Sequence, residues 1–283
     1  MTADGALFLR VDGVDFDPAG ASVPAADRGF NYGDGVFRTV RLAAGHVPAW
    51  PRHARKLAAD LARLGLGEPD LPAIERDLAD LGARYPDCIA RITVTAGLSA
   101  RGYLRSRGTA LTTMVRATAL PGWPLDRETA GIALHLCKLR LAHQPALAGV
   151  KHLNRLEQVL ARAEWAEEGD GGAAEGLTLD AAGHAICGTM SNLFIVEDGR
   201  LATPDLSGCG VEGVQRGRIL DWAWANSLNA TVEALPLARL HAADSLVVCN
   251  SVIGAWWVRR FCGRSHARPA WHAELVAALA RDA

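Results

Sequence analysis

The chain has 283 residues, 49% of them hydrophobic, and 30 Lys and Arg against 31 Asp and Glu give a formal net charge of −1. That length and apolar content suffice for one large or two ordinary domains. The balanced charge leaves no overall basic excess to neutralise a phosphate backbone, so nucleic acid is not expected as a partner. No run of about 18 uninterrupted apolar residues marks a membrane span, and the opening MTADGALFLRVDG lacks the build of a signal peptide. The six cysteines show no CxxC pair and the nine histidines no HExxH spacing. This predicts reduced thiols in a cytoplasmic protein and no metal site.

In chain order, residues 6–11 read as a strand, and Asp12-Gly13 as a hairpin turn into a second short strand. Residues 36–42 are strand-like. Helical spacing follows over 53–64 (Leu57, Leu61, Leu64) and over 71–81 (Leu71, Ile74, Leu78, Leu81). Strands are predicted at 89–95 and 110–115. The stretch LPGWP, 120–124, reads as a linker, which sets a small N-terminal α+β domain at 1–119 and a larger C-terminal domain at 125–283. In the second domain a strand is predicted near 132–136. A helix is predicted after Lys151, with Leu153, Leu156, Val159 and Leu160 on its packed face. Strands near 177–180 and 192–196, a hairpin at Asp198-Gly199, a helix at 216–226, strands near 231–235 and 246–249, and a helix at 270–280 complete the reading. Irregular interspersion of helices among dominant strands makes the fold class α+β, not a βαβ array.

Six segments carry chemistry. Residues 27–37, DRGFNYGDGVF, hold Gly29, Gly33 and Gly35, which points to a tight turn and close backbone approach. Residues 97–103, GLSARGY, place Arg101 in a loop. A guanidinium there suits a carboxylate, and also fits a plain surface arginine. Residues 148–160, AGVKHLNRLEQVL, put Lys151 on a loop entering a helix; a lone lysine is ordinarily a solvated charge. Residues 187–196 read CGTMSNLFIV. Residues 209–216, CGVEGVQR, precede a helix whose N-terminal N–H groups suit an anion. NSVIG, 250–254, follows a strand and offers the Ser251 hydroxyl.

Together these strings, in this order, resemble the class IV aminotransferase family of pyridoxal-phosphate enzymes, from about residue 7 to 262. The wording of 137–165, CKLRLAHQPALAGVKHLNRLEQVLARAEW, is similar to the aminodeoxychorismate lyase branch. The resemblance implies a two-domain α+β fold of the D-amino-acid aminotransferase-like type (fold type IV), with the cofactor between the domains, and a homodimer. It implies a small-molecule substrate, 4-amino-4-deoxychorismate, cleaved to 4-aminobenzoate and pyruvate in folate synthesis. It makes Lys151 the cofactor-holding and proton-moving residue. Gly213, Val214, Gln215 and Ser251 become phosphate contacts, and Arg101, Tyr103, Thr189 and Asn154 substrate contacts.

Four positions depart from the family pattern. Cys187 stands where a glutamate usually pairs with the pyridine nitrogen. The ring then works unprotonated, another acid substitutes, or activity is lost. Lys56, three residues after His53, takes the place of a phosphate-binding arginine. It supplies a point charge and not a fork, which predicts weaker cofactor binding; Arg55 is its alternative. Arg38 replaces a common glutamate, and Ala96 an arginine. The alternative activity is amino transfer by a class IV transaminase, and a further alternative is a cofactor-binding relative without catalysis.

Overall fold

The computed structural model describes residues 5–18, 23–99, 101–106, 108–122, 127–165 and 172–281. Contacts divide the chain into two compact units, Met1–Gly122 with Val150–Asn154, and Trp123–Gly149 with Arg155–Arg281. The chain passes from one to the other inside the stretch expected as a linker, of which Trp123 and Pro124 lie outside the described residues. Lys151, expected in the second domain, groups with the first unit because its backbone pairs with a strand there.

The first unit contains β1 (Ala6–Val11), β2 (Val14–Asp15), α1 (Arg28–Tyr32), β3 (Gly35–Leu42), α2 (Trp50–Arg63), α3 (Leu71–Arg84), β4 (Cys88–Thr95) and β5 (Thr112–Thr118). Its antiparallel sheet runs β2-β1-β5-β4-β3. The β1–β2 turn has positive φ at both Asp12 and Gly13, as Asp-Gly allows. Asp70 caps α3 by accepting from the Ala73 N–H, and Pro72 sits in its first turn, where a missing N–H costs nothing. The predicted helical faces are the buried ones. Leu57 and Leu61 of α2, with Ile74, Leu78 and Leu81 of α3, pack against Val36, Val40, Ile92 and Val115 of the sheet. The last strand begins and ends later than predicted, at 112–118.

The second unit contains α4 (Arg127–Ala130), β6 (Ile132–Leu141), α5 (Leu156–Arg162), β7 (Ala173–Asp180), β8 (His184–Gly188), β9 (Asn192–Glu197), β10 (Arg200–Pro204), α6 (Val214–Ala225), β11 (Ala230–Glu233), β12 (Leu235–Pro236), α7 (Leu237–Ala242), β13 (Ser245–Asn250), β14 (Gly254–Phe261), β15 (Arg264–Ser265) and α8 (His272–Arg281). Its sheet runs β11-β10-β9-β13-β14-β6-β7-β8-β12, with β15 paired to β14. The two-residue period sorts side chains to opposite faces. Leu193, Ile195, Leu246 and Val248 join one core. Phe194, Val196, Val247 and Cys249 join another, which α6 and α8 cover with Ile219, Leu220 and Leu275.

A further expectation fails. The helix after Lys151 begins only at Leu156, and Leu156, Val159 and Leu160 are 68%, 60% and 53% exposed. Apolar spacing identified a one-sided helix correctly, but spacing does not say what covers the apolar side.

Candidate active site

Lys151 is fixed by its backbone and not by the helix behind it. The segment forms an antiparallel bridge to β3 at Val36 and His152. The Phe37 N–H donates to the Lys151 carbonyl (3.0 Å), and the Leu153 N–H donates to the Gly35 carbonyl (3.0 Å). The Lys151 N–H donates to Asp60 Oδ2 at 3.1 Å. Its Nζ lies 4.5 Å from the centroid of the Phe37 ring. Asn154, exposed at the end of the segment, donates from Nδ2 to the Gly33 carbonyl at 3.1 Å. The glycines of GDG make this approach possible. Gly33 has φ +64° and a side chain on it would overlap the Asn154 amide; one on Gly35 would overlap the Val94 carbonyl.

Beside this segment α2 contributes Lys56 and Asp60, one turn apart. Lys56 Nζ donates to Asp60 Oδ1 at 2.7 Å, and the Arg38 guanidinium pairs with Oδ2. Arg38 and Asp60 are both buried. Arg55, the alternative to Lys56, is exposed, so of the two it is Lys56 that lies on the partly buried face.

The GLSARGY loop is held by residues the sequence reading passed over. Arg28, 4% exposed, donates from Nε to Asp34 Oδ2 (2.8 Å), from Nη1 to Ser99 Oγ (2.9 Å) and to the Gly102 carbonyl (3.0 Å), and from Nη2 to the Tyr103 carbonyl (2.9 Å). Arg105 forks onto both oxygens of Asp34 and donates to the Leu64 carbonyl at 2.6 Å. Burial pushes the Asp34 carboxyl up, but the hydrogen bonds from Arg105 and Arg28 outweigh it and hold the group below the ordinary carboxylate range. Arg101 and Tyr103 are left exposed; the Tyr103 ring packs 5.5 Å from that of Tyr32. Ala100 lies outside the described residues. Arg28 and Asp34 fall inside the motif strings already singled out, whereas nothing in the sequence marks Arg105.

In the second unit Cys187 is buried on β8, its Sγ 3.8 Å from the Thr178 hydroxyl. That hydroxyl already donates to the Cys187 carbonyl at 2.7 Å. Burial pushes the Cys187 thiol pKa up, which keeps it neutral. Glu175 on β7 is fully buried and was not singled out from the sequence. Its Oε1 accepts from the Gly176 N–H (2.8 Å), the Thr189 N–H (3.0 Å) and the Thr189 hydroxyl (2.6 Å). Its Oε2 accepts from the Met190 N–H (3.2 Å) and the Ser191 hydroxyl (2.7 Å). Glu175 thus fixes the turn that carries Thr189, and both its oxygens are engaged there.

The 12-residue helix α6 starts at Val214 with Gly213 as an extended N-cap. No side chain caps it and its first turn carries no acidic residue. The Val214 and Gln215 N–H groups therefore stand at the positive end of the helix dipole, as an anion requires. Asn192 locks the approach: its Oδ1 accepts from the Gly213 N–H (3.1 Å) and its Nδ2 donates to the Val211 carbonyl (2.8 Å). The loop is also fastened to Gly149, whose N–H donates to the Gly210 carbonyl (3.0 Å) and whose carbonyl accepts from Glu212 (3.1 Å). The Gln215 side chain is buried, its Oε1 accepting from Arg218 at 3.1 Å. Ser251, half-buried, follows β13 in a turn closed by Asn250 Oδ1 on the Val252 and Ile253 N–H groups.

The first unit thus carries a backbone-anchored lysine, and the second an uncapped helix N-terminus behind a GVxGVxR loop. The chain belongs to the class IV amino-transferase family, whose model matches residues 35–261. It is 34% identical over 233 residues to the aminodeoxychorismate lyase of Vibrio harveyi, covering 82% of this chain and 84% of that protein. Its structure resembles the crystal structure of the 4-amino-4-deoxychorismate lyase of Pseudomonas aeruginosa with a TM-score of 0.88 and 36% identity, over 97% of this chain and 98% of that one. Likeness to the D-alanine aminotransferase of Bacillus licheniformis is lower, 25% over 240 residues, 81% of this chain and 80% of that protein.

Proposed function

We propose that the protein is a pyridoxal-phosphate-dependent lyase that converts 4-amino-4-deoxychorismate to 4-aminobenzoate and pyruvate, a step of folate synthesis in the cytoplasm. The observation that carries the reading is the 36% identity and TM-score of 0.88 to a lyase of that specificity over almost the full length of both chains. None of the described helices is long and apolar enough to cross a membrane.

The residues present fit the cofactor at two of its three ends. The uncapped N–H groups of Val214 and Gln215, the close-packed Gly213 and the Ser251 hydroxyl would hold its phosphate. Lys56 stands where family members place an arginine; its ammonium is shared with Asp60, so it offers less than a guanidinium fork. Lys151 would hold the aldehyde carbon. The third end fits poorly, since Cys187 presents a neutral thiol where a carboxylate is usual, and Glu175 spends both oxygens on its own turn.

When bound, pyridoxal phosphate supplies an aldehyde that captures an amine and a ring that withdraws electrons from the carbon bearing that amine. The protein's part is positional and acid–base. Lys151, which would hold the cofactor aldehyde, would with its amine free serve as the base for the proton on the carbon bearing nitrogen. By family resemblance, Arg101 and Tyr103, exposed on the loop that Arg28 clamps, and Asn154 would be polar substrate contacts of the first unit, and Thr189 of the second. Departure of enolpyruvate makes the remaining ring aromatic, which lowers the demand on the electron sink and suits a chain with Cys187. The apolar stripe Leu156, Val159 and Leu160, exposed in one chain, supports burial against a second copy in a homodimer.

The test is production of 4-aminobenzoate from enzymatically generated substrate by the purified, cofactor-loaded protein, beside Lys151→Ala. The lyase reading expects product from the parent and, for the variant, loss of at least about a thousandfold. Turnover retained by Lys151→Ala overturns the assignment. Amino transfer to 2-oxo acids without 4-aminobenzoate makes the protein a transaminase. A loaded but inert protein makes it a relative that Cys187 has silenced.

A further inference from the structure

The backbone around Lys151 forms a two-bond ladder with β3 that is completed at neither end: the Gly35 N–H turns to the Gly33 carbonyl, and the Lys151 N–H leaves the ladder altogether. Gly35 pairs with Leu153, and Phe37 with Lys151, as the alternate hydrogen-bonded positions of an antiparallel pair. In a continued ladder the Lys151 N–H would return to the Phe37 carbonyl. It turns instead to Asp60 Oδ2, at 3.1 Å. Asp60 is 1% exposed and comes from α2, ninety-one residues earlier in the chain. The Arg38 guanidinium meets the same oxygen, and Lys56 holds the other at 2.7 Å. A carboxylate buried between a guanidinium and an ammonium has little freedom, and a hydrogen bond to such an ionised acceptor is stronger than one to a carbonyl.

We propose that Asp60 is the positioning residue of Lys151, an inference that rests on Lys151 being the cofactor-holding lysine. By drawing the amide out of the ladder, Asp60 sets the orientation of the backbone that carries the side chain across the Phe37 ring. The assignment also joins two departures from the family pattern. Arg38 stands where the motif has a glutamate, and Lys56 where it has an arginine. Here the two cations share one carboxylate, so Asp60 offsets one of the two positive charges beside β3 and Lys56 serves as its clamp.

The test uses the full-length protein and two readouts. One is hydrogen–deuterium exchange of the segment 150–154 without cofactor. The other is the rate at which added pyridoxal phosphate becomes linked to Lys151, followed by visible absorbance and verified by borohydride fixation and peptide mass. In Asp60→Asn, exchange at Lys151 should rise and linkage should slow, each by about tenfold to a hundredfold, the range expected for losing a hydrogen bond to a charged acceptor. Asp60→Glu, which retains the charge but displaces it, should fall between parent and Asp60→Asn. It decides the question by the same readouts if Asp60→Asn does not fold. Exchange and linkage within twofold of the parent in the folded variant overturn the proposal. A parent that never links cofactor at Lys151, while Asp60→Asn still loosens the segment, refutes the cofactor reading and leaves the hold of Asp60 on Lys151 supported.

Discussion

Restoring a carboxylate at position 187 should separate the cost of burying charge from its use. Cys187 is 4% exposed, in a cluster with Leu141, Ile186, Leu206 and Cys209. The hydroxyl within reach, on Thr178, spends its proton on the Cys187 carbonyl at 2.7 Å and can donate to a new carboxylate only by giving that bond up. Glu175 contributes a second negative charge, already among the influences that raise the thiol pKa. Cys187→Glu therefore places an under-partnered carboxylate in the core of the cofactor-free protein, and should destabilise it by about 2–4 kcal/mol. For a unit of this size that is a fall in Tm of about 4–16 °C. If position 187 faces the pyridine nitrogen, the protonated ring is the missing partner. Saturating pyridoxal phosphate should then raise the variant's Tm by more than it raises the parent's. Binding at 100 times Kd alone stabilises by about 2.7 kcal/mol in either protein, so the excess in the variant is the quantity of interest. Differential scanning calorimetry of both proteins, with and without cofactor, measures it. A cofactor-free variant as stable as the parent would refute the burial argument, and an equal cofactor response in both would refute the placement of residue 187 at the ring nitrogen.

Other outcomes follow from the same geometry. Glu175→Gln keeps the shape but turns an NH2 group towards donors that need an acceptor, and should cost about 2–4 kcal/mol by urea denaturation. A loss below about 0.5 kcal/mol would mean the turn at 188–191 does not depend on the carboxylate. The Asp34 carboxyl is held below its unfolded pKa, so its contribution to stability is full above the ordinary carboxylate range and disappears as pH falls through the lower, folded value. Proteolysis in the 99–105 loop should accordingly rise below about pH 4, and Asp34→Asn should flatten that dependence. Val159→Glu should shift sedimentation from dimer to monomer with the Tm of the isolated chain little changed; an unaltered dimer would remove α5 from the interface.

What the sequence disclosed depended on the range of the interactions. The helices α2 and α3 were legible because Leu57, Leu61, Ile74 and Leu78 repeat at helical spacing and each buries locally against the sheet. The stripe on α5 was legible as a stripe, but not as an uncovered one, because coverage belongs to whatever lies outside the helix. The glycines of GDG announced a close approach without saying to what, and the answer, Asn154, lies 121 residues away. Glu175 was hidden most completely. In AAEGLTLD it looks like a polar residue on a half-exposed strand, and only the fold brings the donors of residues 189–191 to it. The pairing of Arg38 with Asp60 was invisible for the same reason, although each residue sits in a segment read correctly as strand or helix.

The most direct test of the account is the stoichiometry of a single conversion. The cofactor-loaded protein, given a measured amount of 4-amino-4-deoxychorismate, should release pyruvate and 4-aminobenzoate in equal amounts, with no amino group delivered to any 2-oxo acid present. Loss of the substrate amine to an oxo acid, or pyruvate without 4-aminobenzoate, would contradict the assignment of this chain as a lyase.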